Sequence, residues 1–147
     1  MNTIRISKEF TFEMAHALSS YDGKCAGLHG HSYHLTVTVL GKIMNDIKHP
    51  CQGMVMDFAE LKKIVSELVL DVFDHALVLN EKDPLCRQID HNPSKLIKTN
   101  YQPTCENLLT DIAERIQSAI LPPVKLYSLK LRETSTGYAE WFAADNT

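Results

Sequence analysis

The sequence predicts an α+β domain in which a four-stranded antiparallel sheet carries two helices on one face. Three observations carry this expectation. Apolar and polar residues alternate over Ile4–Phe12, the two-residue period of a half-buried strand, and Tyr33–Leu40, rich in Thr, Val and Leu, Val124–Arg132 and Tyr138–Ala143 read as three more strands. Between the second and third of these lie two stretches with apolar residues at helical spacing. The order strand, strand, helix, helix, strand, strand keeps the helices together, so they pack on one side of the sheet. The chain has 147 residues, enough for the core of one domain spanning 1–147.

Taken in order, Ile4, Ile6, Phe10 and Phe12 fall on one face of the first strand and Arg5, Ser7, Glu9 and Thr11 on the other, with Lys8 interrupting the apolar side. Met14 and His16 continue the apolar face. Tyr21-Asp22-Gly23 marks a turn in the loop Ser19–Gly27. Tyr33–Leu40 is the second strand, paired antiparallel with the first and closed by Gly41. After a polar stretch, Asp57 caps a helix with Glu60 three residues on. Phe58, Leu61, Ile64, Val65, Leu68 and Val72 form its apolar stripe to about Phe73. Residues 81–103 are the least regular, with Lys95–Tyr101 as a short edge strand. Thr104 caps the second helix, whose stripe is Leu108, Leu109, Ile112, Ile116 and Ile120, and Pro122-Pro123 ends it. Thr134–Gly137 turns the final hairpin. Four strands leave two open edges, which favours self-association.

Composition excludes several classes. Hydrophobic content of 44% and charged content of 22% suit a globular protein. A formal net charge of −3 supplies no basic field for nucleic acid or a membrane surface. No apolar run has the length of a membrane helix, and the N-terminal residues lack a signal-peptide pattern, so a cytoplasmic protein is expected. The four cysteines, at 25, 51, 86 and 105, include no CxxC pair and are expected to be free thiols.

Chemistry concentrates in Cys25–His34, where one thiol and three imidazoles share ten residues. His29 and His31, spaced i, i+2, share a face of an extended segment, and Gly30 between them lets the backbone bend toward an ion. A hairpin sets His16 opposite. Three histidines without a fourth protein ligand leave one position open, as in a catalytic zinc site. His34 is out of phase with the pair, and His49-Pro50-Cys51 reads as a loop. Cys25, beside Lys24 and between Gly23 and Gly27, is an exposed-thiolate candidate. Asp74-His75 follows the first helix directly, where it can be held rigidly, whereas Asp90-His91 falls in the irregular stretch. Glu106 suits the first turn of its helix through the helix dipole. Glu133 shares a strand face with Tyr127, Leu129 and Leu131, so its carboxylate needs donors.

These phrases resemble the 6-pyruvoyltetrahydropterin synthase / 6-carboxytetrahydropterin synthase family: F-x-F-x-x-A-H at Phe10–His16, C-x-x-x-H-G-H at Cys25–His31, G-M-V-M-D-F at Gly53–Phe58, Asp74-His75, P-T-x-E-N at Pro103–Asn107, and Glu133-Thr134. They run in the family's order through nearly the whole chain. The resemblance implies the tunnelling fold, with subunits joined edge to edge into a barrel and a homohexamer built as a dimer of trimers. It implies Zn2+ on His16, His29 and His31, Cys25 as catalytic thiol, and Asp74 with His75 as a proton relay. It further implies Glu133 as pterin anchor, helped by Glu106 and Thr104, at an interfacial site. The three-residue gap between Cys25 and His29 resembles the 6-carboxytetrahydropterin synthases of queuosine biosynthesis. Asp74–Asn80 is one residue longer than the family's short form, and Glu81–Asn100 matches poorly. The implied reaction is conversion of 7,8-dihydroneopterin triphosphate to 6-carboxytetrahydropterin, acetaldehyde and triphosphate. Its alternative is triphosphate elimination of the pyruvoyl type. A zinc hydrolase using the same three histidines and a non-catalytic pterin or metal binder are the rival classes.

Overall fold

A computed structural model describes residues 2–19, 21–23, 26–89 and 95–147, so Cys25 and the Asp90-His91 pair lie outside the described residues. The elements are β1 (Thr3–His16), β2 (His29–Lys42), α1 (Phe58–Val65), a π-helical turn (Ser66–Leu70), α2 (Asp71–Phe73), β3 (Ala76–Asn80), α3 (Leu85–Ile89), β4 (Leu96–Thr99), α4 (Cys105–Ala119), β5 (Lys125–Arg132) and β6 (Tyr138–Phe142). The fold is α+β, as expected, but the sheet is larger than four antiparallel strands. It has six, in the order β4-β3-β1-β2-β5-β6, and is mixed: β3 runs parallel to β1, and β4 parallel to β3. The segment Ala76-Leu77-Val78-Leu79 shows no alternation because both of its faces are covered. One packs on the main core; the other meets a second cluster of Ala17, Leu79 and Cys86. A strand buried on both sides reads as a continuous apolar run. The edge strand expected near Lys95–Tyr101 is β4.

The main core joins Phe10, Phe12 and Met14 of β1 and Tyr33, Leu35, Val37 and Val39 of β2 to both long helices. In α4 the expected stripe is buried. In the first helical region it shifts. Leu61, Val65, Val69 and Phe73 are buried, Leu68 and Val72 only partly so, and Phe58 is 48% exposed. A spacing of four residues drifts around a regular α-helix, whose turn takes 3.6. The wider π turn at Ser66–Leu70 absorbs that drift and keeps the row on the sheet.

A second shift occurs in β5. Leu126 pairs with Val39 and Ser128 with Thr38, so Tyr127 is the extra residue of a bulge. Tyr127 therefore leaves the face of Leu129 and Leu131. Its ring lies under the Arg5 guanidinium, 4.1 Å from the centroid, and meets Phe142 edge-on. Beyond the bulge the phase that carries Leu129, Leu131 and Glu133 is as expected. Among the described residues, pairing with β3 covers only Met14–His16 of β1, so the edge of β1 from Thr3 to Phe12 and the outer edge of β6 are open.

Candidate active site

β1 and β2 pair without a break from Thr3 against Lys42 to His16 against His29. This register builds the centre of the site. His16 and His29 are direct cross-strand partners, and His31 follows His29 on the same face. The three ring centroids are 4.5, 4.9 and 5.2 Å apart, and the candidate ligand atoms lie within 4.8 Å of one another. Gly30 introduces no bend here. It is a regular strand residue paired with Ala15, and a Cβ there would sit 3.2 Å from the Met14 carbonyl oxygen. Its role is to let the two strands approach.

Second partners fix the tautomers. His16 Nδ1 donates to the Pro103 carbonyl and His29 Nδ1 to the Gly27 carbonyl, each at 2.6 Å. A carbonyl only accepts, so each neutral imidazole keeps its lone pair on Nε2. Those two Nε2 atoms face each other at 2.9 Å. The Nε2 of His31 is buried with no hydrogen-bond partner. Nitrogens turned inward onto one point without donors are unfavourable by themselves and suit a single cation bound by imidazoles, with carbonyls orienting the ligands from behind. His16, His29 and His31 can therefore hold a metal ion. Burial lowers the pKa of His16 below 6.5, against the opposing pull of Pro103 and Glu133. It is thereby kept in the neutral form a metal requires.

Glu133 closes one side of this centre. Its Oε1 is 3.6 Å from His16 Nε2 and 3.7 Å from His31 Nε2, and it accepts a hydrogen bond from the Tyr33 hydroxyl at 3.1 Å. The final hairpin sets it there: Glu133 N–H and Thr134 N–H both donate to the Gly137 carbonyl. Beneath it, Cys105 is buried and its thiol donates to the Leu131 carbonyl. Burial first, then the Glu133 carboxylate, push that thiol up to about 12, so it stays protonated and unreactive. Tyr33 is a residue that sequence reasoning missed as part of the site. The signal was available, because it continues the His29, His31 phase by one more step.

Asp74 and His75 form the expected pair, His75 Nδ1 lying 3.0 Å from Asp74 Oδ1. They are fastened to β1. Glu13 N–H donates to Asp74 Oδ1, and His75 N–H donates to the Glu13 carbonyl. The Glu13 bond is the main cause of a depressed Asp74 pKa, with the His75 hydrogen bond adding to it. His75 has φ 61°, a left-handed conformation that costs a non-glycine residue about 1–3 kcal/mol and persists at sites that use it. A cleft of about 360 Å³ runs between His31 and His75. A larger one, about 650 Å³ between β4 and α4, contains none of the candidate residues.

The remaining candidates separate. Thr104 caps α4, accepting from the Asn107 N–H, and adjoins the site through Pro103. Glu106 is exposed on the first turn of α4. His34 faces away from the triad and pairs across from Thr11. His49 sits in a loop, its Nδ1 accepting from the Cys51 N–H.

A match to the family described as 6-pyruvoyl tetrahydropterin synthase extends over residues 5–144. The chain belongs to this family. Among relatives of the synthase family, the 6-carboxy-5,6,7,8-tetrahydropterin synthase of Haemophilus influenzae is 35% identical, covering 93% of this chain and 97% of its own. The 6-pyruvoyl tetrahydrobiopterin synthase of Dictyostelium discoideum is also 35% identical, over 79% of this chain and 71% of its own. The structure of Caenorhabditis elegans 6-pyruvoyl tetrahydropterin synthase superposes with a TM-score of 0.70 at 27% identity, covering 97% of both chains. Membership makes the chain an enzyme of the tetrahydropterin synthase, lyase type. Among the described residues no helix is long and apolar enough to cross a membrane.

Proposed function

We propose that this chain is a zinc-dependent 6-carboxy-5,6,7,8-tetrahydropterin synthase that converts 7,8-dihydroneopterin triphosphate to 6-carboxytetrahydropterin, acetaldehyde and triphosphate in queuosine biosynthesis. The observation that carries the reading is the convergence of the His16, His29 and His31 Nε2 atoms beside the Glu133 carboxylate. The similarity to the Haemophilus enzyme along nearly its full length supports the carboxy type, as does the Cys25–His29 spacing.

His16, His29 and His31 hold the ion, and Pro103 and Gly27 keep the rings of His16 and His29 in place. When bound, zinc supplies Lewis-acid stabilisation of negative charge on the substrate's side-chain oxygens. Glu133 accepts the pterin ring N–H and exocyclic amino group side by side, a bidentate match for a carboxylate. Thr104 and Glu106 flank the ring. Cys25, as thiolate, removes a side-chain proton, and His75, oriented by Asp74, accepts or donates the next one. Carbon–carbon cleavage then yields the carboxy product, whereas expulsion of triphosphate alone yields the pyruvoyl one.

The active form is a homohexamer, a dimer of trimers, in the cytoplasm. Through β2 and β5, β6 runs antiparallel to β1. The open edge of β6 in one subunit can therefore continue the antiparallel order along the open edge of β1 in the next. The barrel follows from three such joints, and the exposed His75 lies at a subunit boundary.

Mass-spectrometric product analysis with dihydroneopterin triphosphate tests the activity. 6-Carboxytetrahydropterin and acetaldehyde are expected. The pyruvoyl product would assign the chain to the alternative that the Dictyostelium similarity favours, and no turnover would remove both. Light scattering at micromolar concentration tests the assembly, and a monomer there would contradict it.

A further inference from the structure

We propose that Tyr33 is a positioning residue, which aims the Glu133 carboxylate at the pterin ring. This rests on the reading of Glu133 as the ring's anchor. Three observations lead to it. The Tyr33 hydroxyl donates to Glu133 Oε1 at 3.1 Å, nearer than either histidine nitrogen. The hydroxyl cannot follow the carboxylate if it moves, because the ring is fully buried. It stacks on Phe12 with centroids 5.1 Å apart and planes 10° from parallel, and Phe12 leans on Phe73 in turn. His16 and His31 close its sides edge-on, at 6.3 and 5.6 Å.

The hairpin fixes the main chain of Glu133, and among the described residues the Tyr33 hydroxyl gives its carboxylate its hydrogen bond. Glu133 follows the end of β5 and its side chain is 25% exposed. A glutamate has three rotatable side-chain torsions, and freezing them at the moment of binding costs affinity. A donor rooted in the core removes that cost beforehand. Tyr33 engages one lone pair of Oε1 and leaves the others for the two parallel ring donors. It also places the carboxylate one hydrogen bond from the core and beside the metal-facing nitrogens. The ring and the substrate side chain are then registered against one another by a single rigid strand, β2, which carries His29, His31 and Tyr33 in one phase.

A double-mutant cycle on the zinc-loaded protein tests this, with sepiapterin titrated calorimetrically into wild type, Tyr33→Phe, Glu133→Gln and the double variant. Phe keeps the ring and its stacking and removes only the hydroxyl. Tyr33→Phe is expected to bind about 10- to 100-fold more weakly, the scale of a hydrogen bond to a charged group, with zinc content unchanged. In the double variant the Tyr33 change should cost much less than it does alone, because Gln keeps one acceptor oxygen but loses the charge that the hydroxyl aims. In turnover, KM should rise in Tyr33→Phe while kcat stays within a few-fold. A purely structural tyrosine would instead lower thermal stability and act equally in both backgrounds. Wild-type affinity in Tyr33→Phe beside a weakened Glu133→Gln would overturn the role of Tyr33 and leave the anchor standing. So would additive losses. Wild-type affinity in Glu133→Gln would overturn the anchor and the positioning role together.

Discussion

His16 and His75 both sit against main-chain groups of neighbouring segments, yet one side chain is 2% exposed and the other 79%. Around His16 every polar atom has a direction dictated by the core. Its Nδ1 is tied to Pro103, and its Nε2 faces His29 and the Glu133 carboxylate. Around His75 the main chain is fixed by Glu13 and the ring Nδ1 by Asp74, while the rest of the imidazole stands in the open. The first region is oriented within one chain: carbonyls hold the rings of His16 and His29 from behind, and the inward Nε2 atoms, that of His31 included, are left for an ion. The second is held firmly at its root and presented outward. Such a geometry suits the proton-transfer role proposed for His75.

Separating the two regions by mutation gives the largest expected effect. His29→Ala should reduce zinc from about one ion per chain to almost none, whereas His75→Ala should keep the metal. Elemental analysis decides, and zinc loss in both variants would erase the distinction. Next comes the thiol outside the described residues. Cys25→Ala should lower turnover by ~10²–10⁴-fold, the range of general-base catalysis, with zinc and pterin binding retained. Cys51, Cys86 and Cys105 should tolerate the same change in the product assay. Near-normal turnover in Cys25→Ala would favour the hydrolase class.

Glu133→Gln sharpens the buried side. Replacing one acceptor oxygen by a donor should weaken pterin binding by roughly 2–4 kcal/mol, the scale for breaking a buried charge-assisted pair. Zinc should stay bound, since the three imidazoles hold it. Unchanged affinity by calorimetry would move the anchor to Glu106.

The smallest effect belongs to the exposed side and depends on pH. The Glu13 N–H, with His75 in support, holds the Asp74 carboxyl below its ordinary 3.8. Between that depressed value and 3.8 the unfolded chain binds the extra proton, so stability rises with pH there. The contribution of Asp74 is complete above about pH 5 and is lost as pH falls through the depressed value. The gap in Tm between wild type and Asp74→Asn should therefore be constant from about pH 5 to 7 and shrink below about pH 4. A gap that widens on acidification would contradict the clamp.

Residues with strong local signatures were legible without coordinates. Helix α4 follows from its Thr104 cap and its apolar stripe, and the β1–β2 hairpin follows from alternation. The facing histidines follow from that hairpin, because strand phase is a local property. Three features were not legible. The π turn moves the buried row from Leu68 and Val72 to Val69 and Phe73, since packing on the sheet outweighs the regular helical turn. The bulge at Tyr127 removes it from the face of Leu129, because strand pairing decides which residue is left over. The strand β3 hides in an apolar run that suits a helix as well as a strand.

The sequence by itself determined the residue types of the site, the face that His16, His29 and His31 share, the two helix caps and the α+β class. Each depends on neighbours within a few positions. Tertiary structure alone decided that Pro103 orients His16, that Tyr33 holds Glu133, and that Glu13 fastens Asp74 and His75. Those contacts join residues 87, 100 and 61 or so positions apart, and no local periodicity records which distant carbonyl or hydroxyl a folded chain will bring within reach.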